Sequence, residues 1–492
     1  TSAGLGGTCA CAASAAANGR AAARRLLPRA SRDAACESAA GSLVSMRRIL
    51  ARPYVRGEAP GGFAARYARL CASVRNPWTR ARSRRRECAR PRNAALPTGI
   101  KLLSFVDHSG YGMAALAYVR ALVNAGVPVR WMPVRYVGSG VRPVGPGHSP
   151  PLSLMATDDE SLSDLPALIA ATSRPIAYDT VVAHTVPEHW PALFEPGKRN
   201  VGYTVWETDR APAHWRTLLD RADRVLVPCA MNRDTFVAAG VRAPVRVVPH
   251  VRRHAWNNFA PADLAAARVR FGIAGARFVF YTINTWDPRK ALGTLLRAFV
   301  RAFRADDGVA LVVKTGPVGY GAPPNYARAP TLELAQAVVD DATDELDRDA
   351  PPICLLPNVF TGRGIDLLHE LGDAYVTLPH GEGWALGLFD AATRGTPAIA
   401  TGWGGHLDYM GADWPGAVPF RMAQVPVWPP EHPSYWPSQR WAAPDVDAAA
   451  AAMRAIVEDP RPARAAAESI AERIANRYAE PVVAREYLTA LE

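Results

Sequence analysis

The chemistry-bearing residues of this chain gather in three short stretches. The most telling is His380-Gly-Glu-Gly-Trp-Ala-Leu-Gly-Leu-Phe-Asp390, in which two carboxylates, Glu382 and Asp390, stand eight positions apart. On one continuous helix they would lie roughly 12 Å apart along the axis, beyond the roughly 5–9.5 Å of a hydrolytic carboxylate pair. Hydrolysis by such a pair is therefore disfavoured. The spacing suits two carboxylates that accept hydrogen bonds from separate hydroxyl groups of one elongated ligand, with phosphates lodged between them. The glycines of this run, including Gly383 and Gly387, free the backbone to wrap a phosphate, and a helix opening around Leu386 would aim its positive end at it. The plainer alternative is that Glu382 caps the helix and Asp390 faces solvent.

Arg289 and Lys290 form a basic pair in Asn284-Thr-Trp-Asp-Pro-Arg-Lys-Ala291, ahead of an amphipathic segment with Leu292, Leu295, Leu296 and Phe299 on one side. Such a pair can neutralise a diphosphate; on an ordinary surface it would simply be solvated. The third stretch, Asp107-His-Ser-Gly-Tyr-Gly112, precedes an Ala-rich helix beginning near Met113. Gly110 and Gly112 would let backbone N–H groups approach an anion, although a turn between strand and helix often holds glycine merely to bend.

All three stretches follow short apolar runs, and those runs alternate with longer amphipathic segments, the pattern of parallel strands joined by helices. The first set of strands is expected at Ile100–Val106, Val127–Pro133, Thr180–Ala183, Asn200–Trp206, Arg224–Val227 and Val245–Val248. The second set is expected at Phe278–Ile283, Ala310–Lys314, Ile353–Leu356, Ala374–Leu378 and Pro397–Ala400, after a linker at His250–Pro261. This gives an α/β fold with two Rossmann-like parallel-sheet domains, 99–255 and 256–470, facing each other across a cleft. Ligands of open parallel sheets bind beyond the carboxyl ends of the strands, where the three stretches sit. Ala448–Asn476 is expected to be helical and to continue through Tyr478 with a break at Pro481, so that a C-terminal helix, 471–492, can pack back on the N-terminal domain.

The chain has 492 residues with 49% hydrophobic and 21% charged, which suits a multidomain globular protein and excludes wholesale disorder. The net charge of +12 is concentrated at one end: residues 1–98 hold 19 Arg, no Lys and four acids, while the remainder is slightly acidic. This Arg/Ala-rich stretch lacks periodicity and is expected to be disordered. A nucleic-acid arm, a transit peptide and a non-native extension from an early start codon in a GC-rich gene compete to explain it; Arg without Lys favours the last. No nucleic acid partner is expected, because the slightly acidic remainder would repel phosphate at long range. Five cysteines lie in that stretch without metal-ligand spacing, and Cys229 and Cys354 read as small buried thiols. Disulfides are not needed, consistent with a cytoplasmic setting. Asp445-Val-Asp447 reads as a helix cap, so no metal is expected.

Taken together, residues from Ile100 onward resemble the retaining nucleotide-sugar glycosyltransferases of the GT-B fold, specifically glycosyltransferase family 4. The Glu-x7-Glu motif of that family is matched by Glu382 and Asp390, and the resemblance implies that the first contacts the donor sugar and the second the ribose. It likewise implies that Lys290, beside Arg289, holds the donor diphosphate; that the loop Gly383, Trp384, Ala385, Leu386 and Gly387 surrounds the donor; and that Asn358-Val359 reads the nucleobase through its backbone. Gly110 and Gly112 resemble the loop facing donor phosphate and acceptor, and His184 resembles a histidine lining the sugar end of the cleft. Gly202-Tyr-Thr-Val-Trp-Glu207 with Pro212 and Trp215 looks like a variant in some bacterial members. Two departures stand out: Asp390 is shorter than Glu by a methylene, and Asn284–Trp286 replaces the family's upstream Arg, for which Arg289 can substitute. The implied activity is metal-independent transfer of a hexose from a nucleoside diphosphate sugar, without a bound cofactor, to a saccharide, lipid-linked or other small acceptor. Peripheral membrane contact and oligomeric state are left open. The rival reading is a catalytically silent GT-B-fold binding or scaffold subunit.

Overall fold

The computed structural model describes residues 97–138, 140–144, 160–253, 255–321, 326–427 and 434–492. The expectation for residues 1–98 therefore lies, apart from its last two, outside the described residues.

Seven strands form the first sheet: β1 (Ile100–Ser104), β2 (Val129–Val137), β3 (Gly140–Pro143), β4 (Thr180–His184), β5 (Arg199–Tyr203), β6 (Arg224–Val227) and β7 (Val245–Val247). Their order is β3-β2-β1-β4-β5-β6-β7, parallel except for the β2–β3 hairpin at one edge. That hairpin carries β2 beyond the expected end at Pro133. The second sheet uses β8 (Phe278–Ile283), β9 (Val309–Lys314), β12 (Ile353–Leu356), β13 (Ala374–Thr377), β14 (Ala398–Thr401) and β15 (Ala417–Val418), all parallel, in the order β12-β9-β8-β13-β14-β15. Two antiparallel hairpins stand apart from both sheets: β10 (Val318–Tyr320) with β11 (Arg328–Pro330), and β16 (Phe420–Gln424) with β17 (Arg440–Pro444). Neither hairpin is legible in the apolar periodicity, because each is short and half-exposed.

The parallel strands are buried on both faces, which is why they read as continuous apolar runs such as Phe278–Ile283 and Val309–Lys314. In the second sheet β8 and β13 are neighbours whose connections leave in opposite directions, and in the first sheet β1 and β4 are the corresponding pair. These are the switch points at which the loops diverge and open a crevice. Each of the three chemistry-bearing stretches, at 107–112, 284–291 and 380–390, follows one of those four strands.

Eight helices frame the crevice: α1 (Gly110–Asn124), α2 (Ala230–Ala238), α3 (Leu292–Ala302), α4 (Gly362–Leu371), α5 (Leu386–Thr393), α6 (Val446–Glu458), α7 (Arg461–Arg477) and α8 (Glu480–Leu491). In α3, Leu292, Leu295, Leu296 and Phe299 are all buried against the second sheet, at the three-to-four spacing of one helix face. The helix expected from Ala448, with one break at Pro481, is instead three helices with breaks at Asp459 and at Tyr478–Ala479. The chain leaves α6 at Asp459, whose extended backbone (φ −140°, ψ 97°) is dictated by Pro460. It turns again at Tyr478 and Ala479, and Pro481 sits in the first turn of α8, where its missing N–H costs nothing. Asp445 caps α6, accepting from the N–H groups of Asp447 and Ala448. The second turn sends α8 back across the molecule: Val483, Ala484, Tyr487, Ala490 and Leu491 are buried with Ile100, Leu102 and Tyr118 of the first sheet's core. At about 1.5–3 kcal/mol for each large apolar side chain buried, this helix is a substantial clasp between the two halves.

Candidate active site

The loop after β8 is shaped by Asp287. Its side chain accepts a hydrogen bond from the Lys290 N–H at 3.1 Å and from Thr285 Oγ1 at 2.7 Å, curling Pro288–Lys290 into one tight turn. Ala291 then adopts a left-handed backbone (φ 49°) at the mouth of α3. A non-glycine residue rarely accepts that conformation, and here it presents the cationic pair toward the neighbouring loop.

That neighbour is the loop after β13. Lys290 Nζ lies 2.5 Å from Glu382 Oε1, and Arg289 Nη1 lies 3.2 Å from Glu382 Oε2. Arg289 Nη1 also donates to the Gly381 carbonyl at 2.7 Å, and the Arg289 carbonyl accepts from the His380 N–H at 2.7 Å. Burial works to raise the Glu382 pKa, but Lys290 and then Arg289 outweigh it and hold the carboxyl below its usual range. Burial likewise works against the charge of Arg289, and Glu207 and Glu382 more than restore it. Ala385 is the second left-handed alanine (φ 66°), and it turns the chain into α5, with Tyr409 Oη donating to the carbonyls of Trp384 and Ala385.

The first sheet supplies the opposite wall. A Cβ added at Gly110, the first residue of α1, would lie 3.7 Å from Leu386 Cδ1, so the starts of α1 and α5 confront each other. The loop after β5 comes closer still. A Cβ at Gly381 would stand 1.9 Å from the Glu207 carbonyl oxygen, and one at Gly383 would stand 1.8 Å from Val205 Cγ2. These two glycines are therefore required where the loops of the two sheets touch, a need the sequence reading assigned only to phosphate wrapping. Gly381→Ala is expected to pry the loops apart at a cost of about 1–3 kcal/mol, because a backbone oxygen cannot yield as a side chain can. Gly275→Ala, at a position open to solvent, should stay within about 0.5 kcal/mol, and urea unfolding of both variants measures the contrast.

Glu207 completes the cationic centre from across the crevice. Its carboxylate is 3.8 Å from Arg289 Nη2 and accepts from Tyr435 Oη at 3.0 Å. Burial raises its pKa, Arg289 opposes that, and the nearby Glu382 adds to it. Arg289 thus bridges carboxylates from the two sheets. The segment between β16 and β17 reinforces the join: Tyr435 stacks on Trp206 at 5.0 Å, and the Asp209 N–H and the Arg440 carbonyl pair at 2.9 Å.

Asp390 lies on the second turn of α5, its side chain 16% exposed and 3.6 Å from Arg253 Nη1. Burial pushes its pKa up to about 6, with Arg253 opposing and Asp366 reinforcing the rise. Val359 is exposed in the loop after β12, and Phe360 beside it carries the Lys314 ammonium 5.8 Å from its ring centre.

Three expected site residues are positioned differently from the reading above. His184, the last residue of β4, is 1% exposed, with Tyr203 at 4.3 Å and Tyr111 at 5.6 Å between ring centres; its ring is covered instead of lining the crevice. Burial, and secondarily His250, holds its imidazole well below the usual pKa, so it is neutral. Trp384 is 3% exposed and packs its indole on Phe389, Tyr409 and Tyr478, so its side chain is turned into the core. The Gly112 N–H already donates to Ser109 Oγ at 3.1 Å, the cap of α1, and is not presented to the crevice. Ala385, Leu386 and Gly387 form the start of α5 as expected, and a Cβ at Gly387 would come within 2.6 Å of Tyr375 Oη.

Arg253, Asp366 and Tyr435 were not singled out by sequence reasoning, and Glu207 was read only as the end of the Gly202–Glu207 segment, with no role of its own. Glu207 could have been found by the rule that raised Lys290, because it too follows a strand of a parallel sheet. The others carry no local signal. Cys229 and Cys354 are buried free thiols, and burial raises the Cys354 pKa to about 12. Among the described residues no cluster of His, Cys, Asp or Glu could hold a metal ion, and no helix is long and apolar enough to cross a membrane.

No family model matches the chain. The D-inositol 3-phosphate glycosyltransferase of Saccharomonospora viridis is 29% identical over 195 residues, covering 37% of this chain and 41% of that protein. The enzyme of the same name from Segniliparus rotundus is 30% identical over 186 residues, covering 38% and 35%. The chain thus spans about two-fifths of the length of the curated relatives it matches. Among solved structures, Anabaena HepE in complex with UDP and glucose superposes with a TM-score of 0.50 at 15% identity, covering 80% of this chain and 99% of that one. An E. coli trehalose-6-phosphate protein bound with UDP-2-fluoro glucose gives a TM-score of 0.50 at 11% identity, covering 80% and 98%. The fold is the two-sheet GT-B architecture of these glycosyltransferases.

Proposed function

We propose that the protein is a glycosyltransferase that moves a hexose from a nucleoside diphosphate sugar to a saccharide, lipid-linked or other small acceptor, with retention at the anomeric carbon and without a metal. The observation that carries this reading is the convergence of Lys290, Arg289 and Glu382 between the opposed starts of α1 and α5. The named activity of the matched relatives, the UDP and glucose bound to HepE and the UDP-2-fluoro glucose bound to the E. coli protein support it.

In the reaction the bond between the anomeric carbon and the diphosphate oxygen breaks, and the acceptor oxygen bonds to that carbon on the same face. The acceptor's proton leaves with the departing phosphate oxygen. Negative charge accumulates on the diphosphate, so catalysis depends on positive charge already aimed at it. Two cations here face two carboxylates, which leaves little net charge at this centre. Donor binding therefore requires Glu382 to exchange Lys290 for a sugar hydroxyl, releasing the ammonium to the diphosphate, while the start of α5 supplies N–H groups. Asp390, further along α5, accepts the hydroxyl groups of the nucleoside. His184, neutral and covered, acts by supporting Tyr111 and Tyr203, not by moving a proton.

A thermal-shift screen of UDP- and GDP-sugars on the full chain tests the reading, because a ligand of the folded state raises its melting temperature by mass action. One of these donors is expected to raise the Tm by several degrees, about 2.7 kcal/mol at a hundredfold excess over Kd. No shift with any of them and no donor hydrolysis would favour the catalytically silent subunit.

A further inference from the structure

We infer that Arg253, contributed by the linker between the two sheets, is a positioning residue for Asp390: it keeps that carboxylate ionised and aimed at the nucleoside, so that nucleotide binding and linker conformation depend on each other. The inference rests on the donor reading above.

One guanidinium serves two buried acids. Arg253 Nη1 lies 2.8 Å from Asp366 Oδ1, and Nη2 donates to Asp366 Oδ2 at 3.1 Å, whereas Asp390 Oδ2 is 3.6 Å from Nη1. Asp366, on α4, is fully buried and also accepts from the Asn257 N–H and Nδ2, each at 2.9 Å. It therefore holds the short contacts, and Asp390 keeps the long one, at a distance where attraction survives but a good hydrogen bond does not. The guanidinium cannot swing away freely, since it lies 4.1 Å over the Trp256 ring, against which Arg394 also packs at 4.8 Å. An Asp390 oxygen so weakly engaged is available to a hydroxyl group, provided that it stays charged.

The linker is anchored at both ends. His250 Nδ1 is 2.9 Å from Tyr118 Oη in the first sheet's core, and the Arg252 N–H donates to the Tyr478 carbonyl at 2.9 Å. Asn257 Oδ1 accepts from the Glu160 N–H at 2.9 Å, joining the Asp366 cluster to a segment connecting β3 and β4. The linker that carries Arg253 is thus tied to the first half of the molecule through His250 and Asn257 and to the second through Asp366.

The groups facing Asp390 are Arg253 from the linker, Asp366 from α4, Arg394 one turn along its own helix, Tyr281 of β8, Tyr375 of β13 and Tyr409 behind α5. His369 of α4, near both arginines, is held neutral by burial. Arg253 and Arg394 favour the ionised carboxylate, and burial with Asp366 disfavours it.

Isothermal titration of the full chain with UDP and GDP from pH 5 to 8 tests the inference on wild type, Arg253→Gln, Asp366→Asn, Asp390→Asn and the Arg253→Gln/Asp390→Asn double variant. Wild-type affinity is expected to fall as pH drops through about 6, because protonated Asp390 loses an acceptor. Arg253→Gln moves that midpoint up by about one pH unit and weakens binding at pH 7 by about tenfold. Asp366→Asn, isosteric and lacking the competing charge, moves the midpoint down. It carries the test alone should Arg253→Gln fail to fold. Asp390→Asn flattens the profile, and in that background Arg253→Gln adds less than about twofold. Unchanged midpoints in both charge variants, or an undiminished Arg253→Gln penalty without Asp390, would overturn the inference while leaving the donor reading standing. Absence of binding by either nucleotide to wild type would remove the donor reading and this inference with it.

Discussion

Lys290→Ala is expected to abolish the donor-induced thermal shift and to lower transfer by roughly 10²–10³-fold, the usual loss when one group stabilising developing charge is removed. The reason lies in the pairing with Glu382 at 2.5 Å. On the donor reading the ammonium is a transferable charge that Glu382 gives up to the diphosphate; without it the anion would meet Arg289 alone, already shared with Glu207. Lys290→Arg retains the charge and should recover part of the activity. The side chain is mostly buried, so the alanine variant also leaves Glu382 half-compensated and should lose about 1–3 kcal/mol of stability. A full thermal shift in folded Lys290→Ala would move the donor to another part of the molecule.

Glu382→Gln should separate binding from chemistry. Removing the carboxylate leaves Lys290 and Arg289 both turned to the crevice, so UDP is expected to bind several-fold more tightly, by about 1 kcal/mol of relieved competition at an effective dielectric typical of such sites. Transfer should nevertheless fall by roughly 10²–10³-fold, because the group that accepts from the sugar hydroxyl and faces the positively charged sugar is gone. The same variant has a signature in acid. Glu382 is held below its ordinary pKa, so its ion pairs contribute stability that is present above the unfolded-state value and is lost as pH falls through the folded value. Glu382→Gln should be less stable than wild type at pH 7, with the difference shrinking toward acid pH in urea titrations. Retained transfer, or weakened UDP binding, would show that Glu382 does not face the donor sugar.

The elements that present the site are legible in the residues because parallel strands announce themselves locally. The apolar runs at Phe278–Ile283 and Ile353–Leu356 coincide with strands to the residue, and the expected positions of Lys290 and Glu382, each just after a strand, bring them to adjacent loops at a switch point. What local pattern misjudged was orientation. His184 and Trp384 occupy the expected loop and strand ends, yet their rings are buried, since the same backbone position can project a side chain into the core or into the crevice. Helix continuity failed at Asp459, where Ala-rich periodicity resumes beyond the Pro460 that breaks it, whereas the break expected at Pro481 falls at Tyr478 and Ala479.

Residue types, strand-forming periodicity and the placement of charged residues after strands were enough, by themselves, to determine two parallel sheets and a cationic loop beside a carboxylate loop. Only the tertiary structure decided that Glu207 reaches Arg289 from the opposite sheet, that Gly381 and Gly383 are small because another loop presses on them, and that Arg253 is divided between Asp366 and Asp390. The physical reason is range. Propensity and burial period act over a few neighbouring residues, whereas these contacts join segments from separate sheets and the linker, and their electrostatic strength arises only once packing has excluded water from between them.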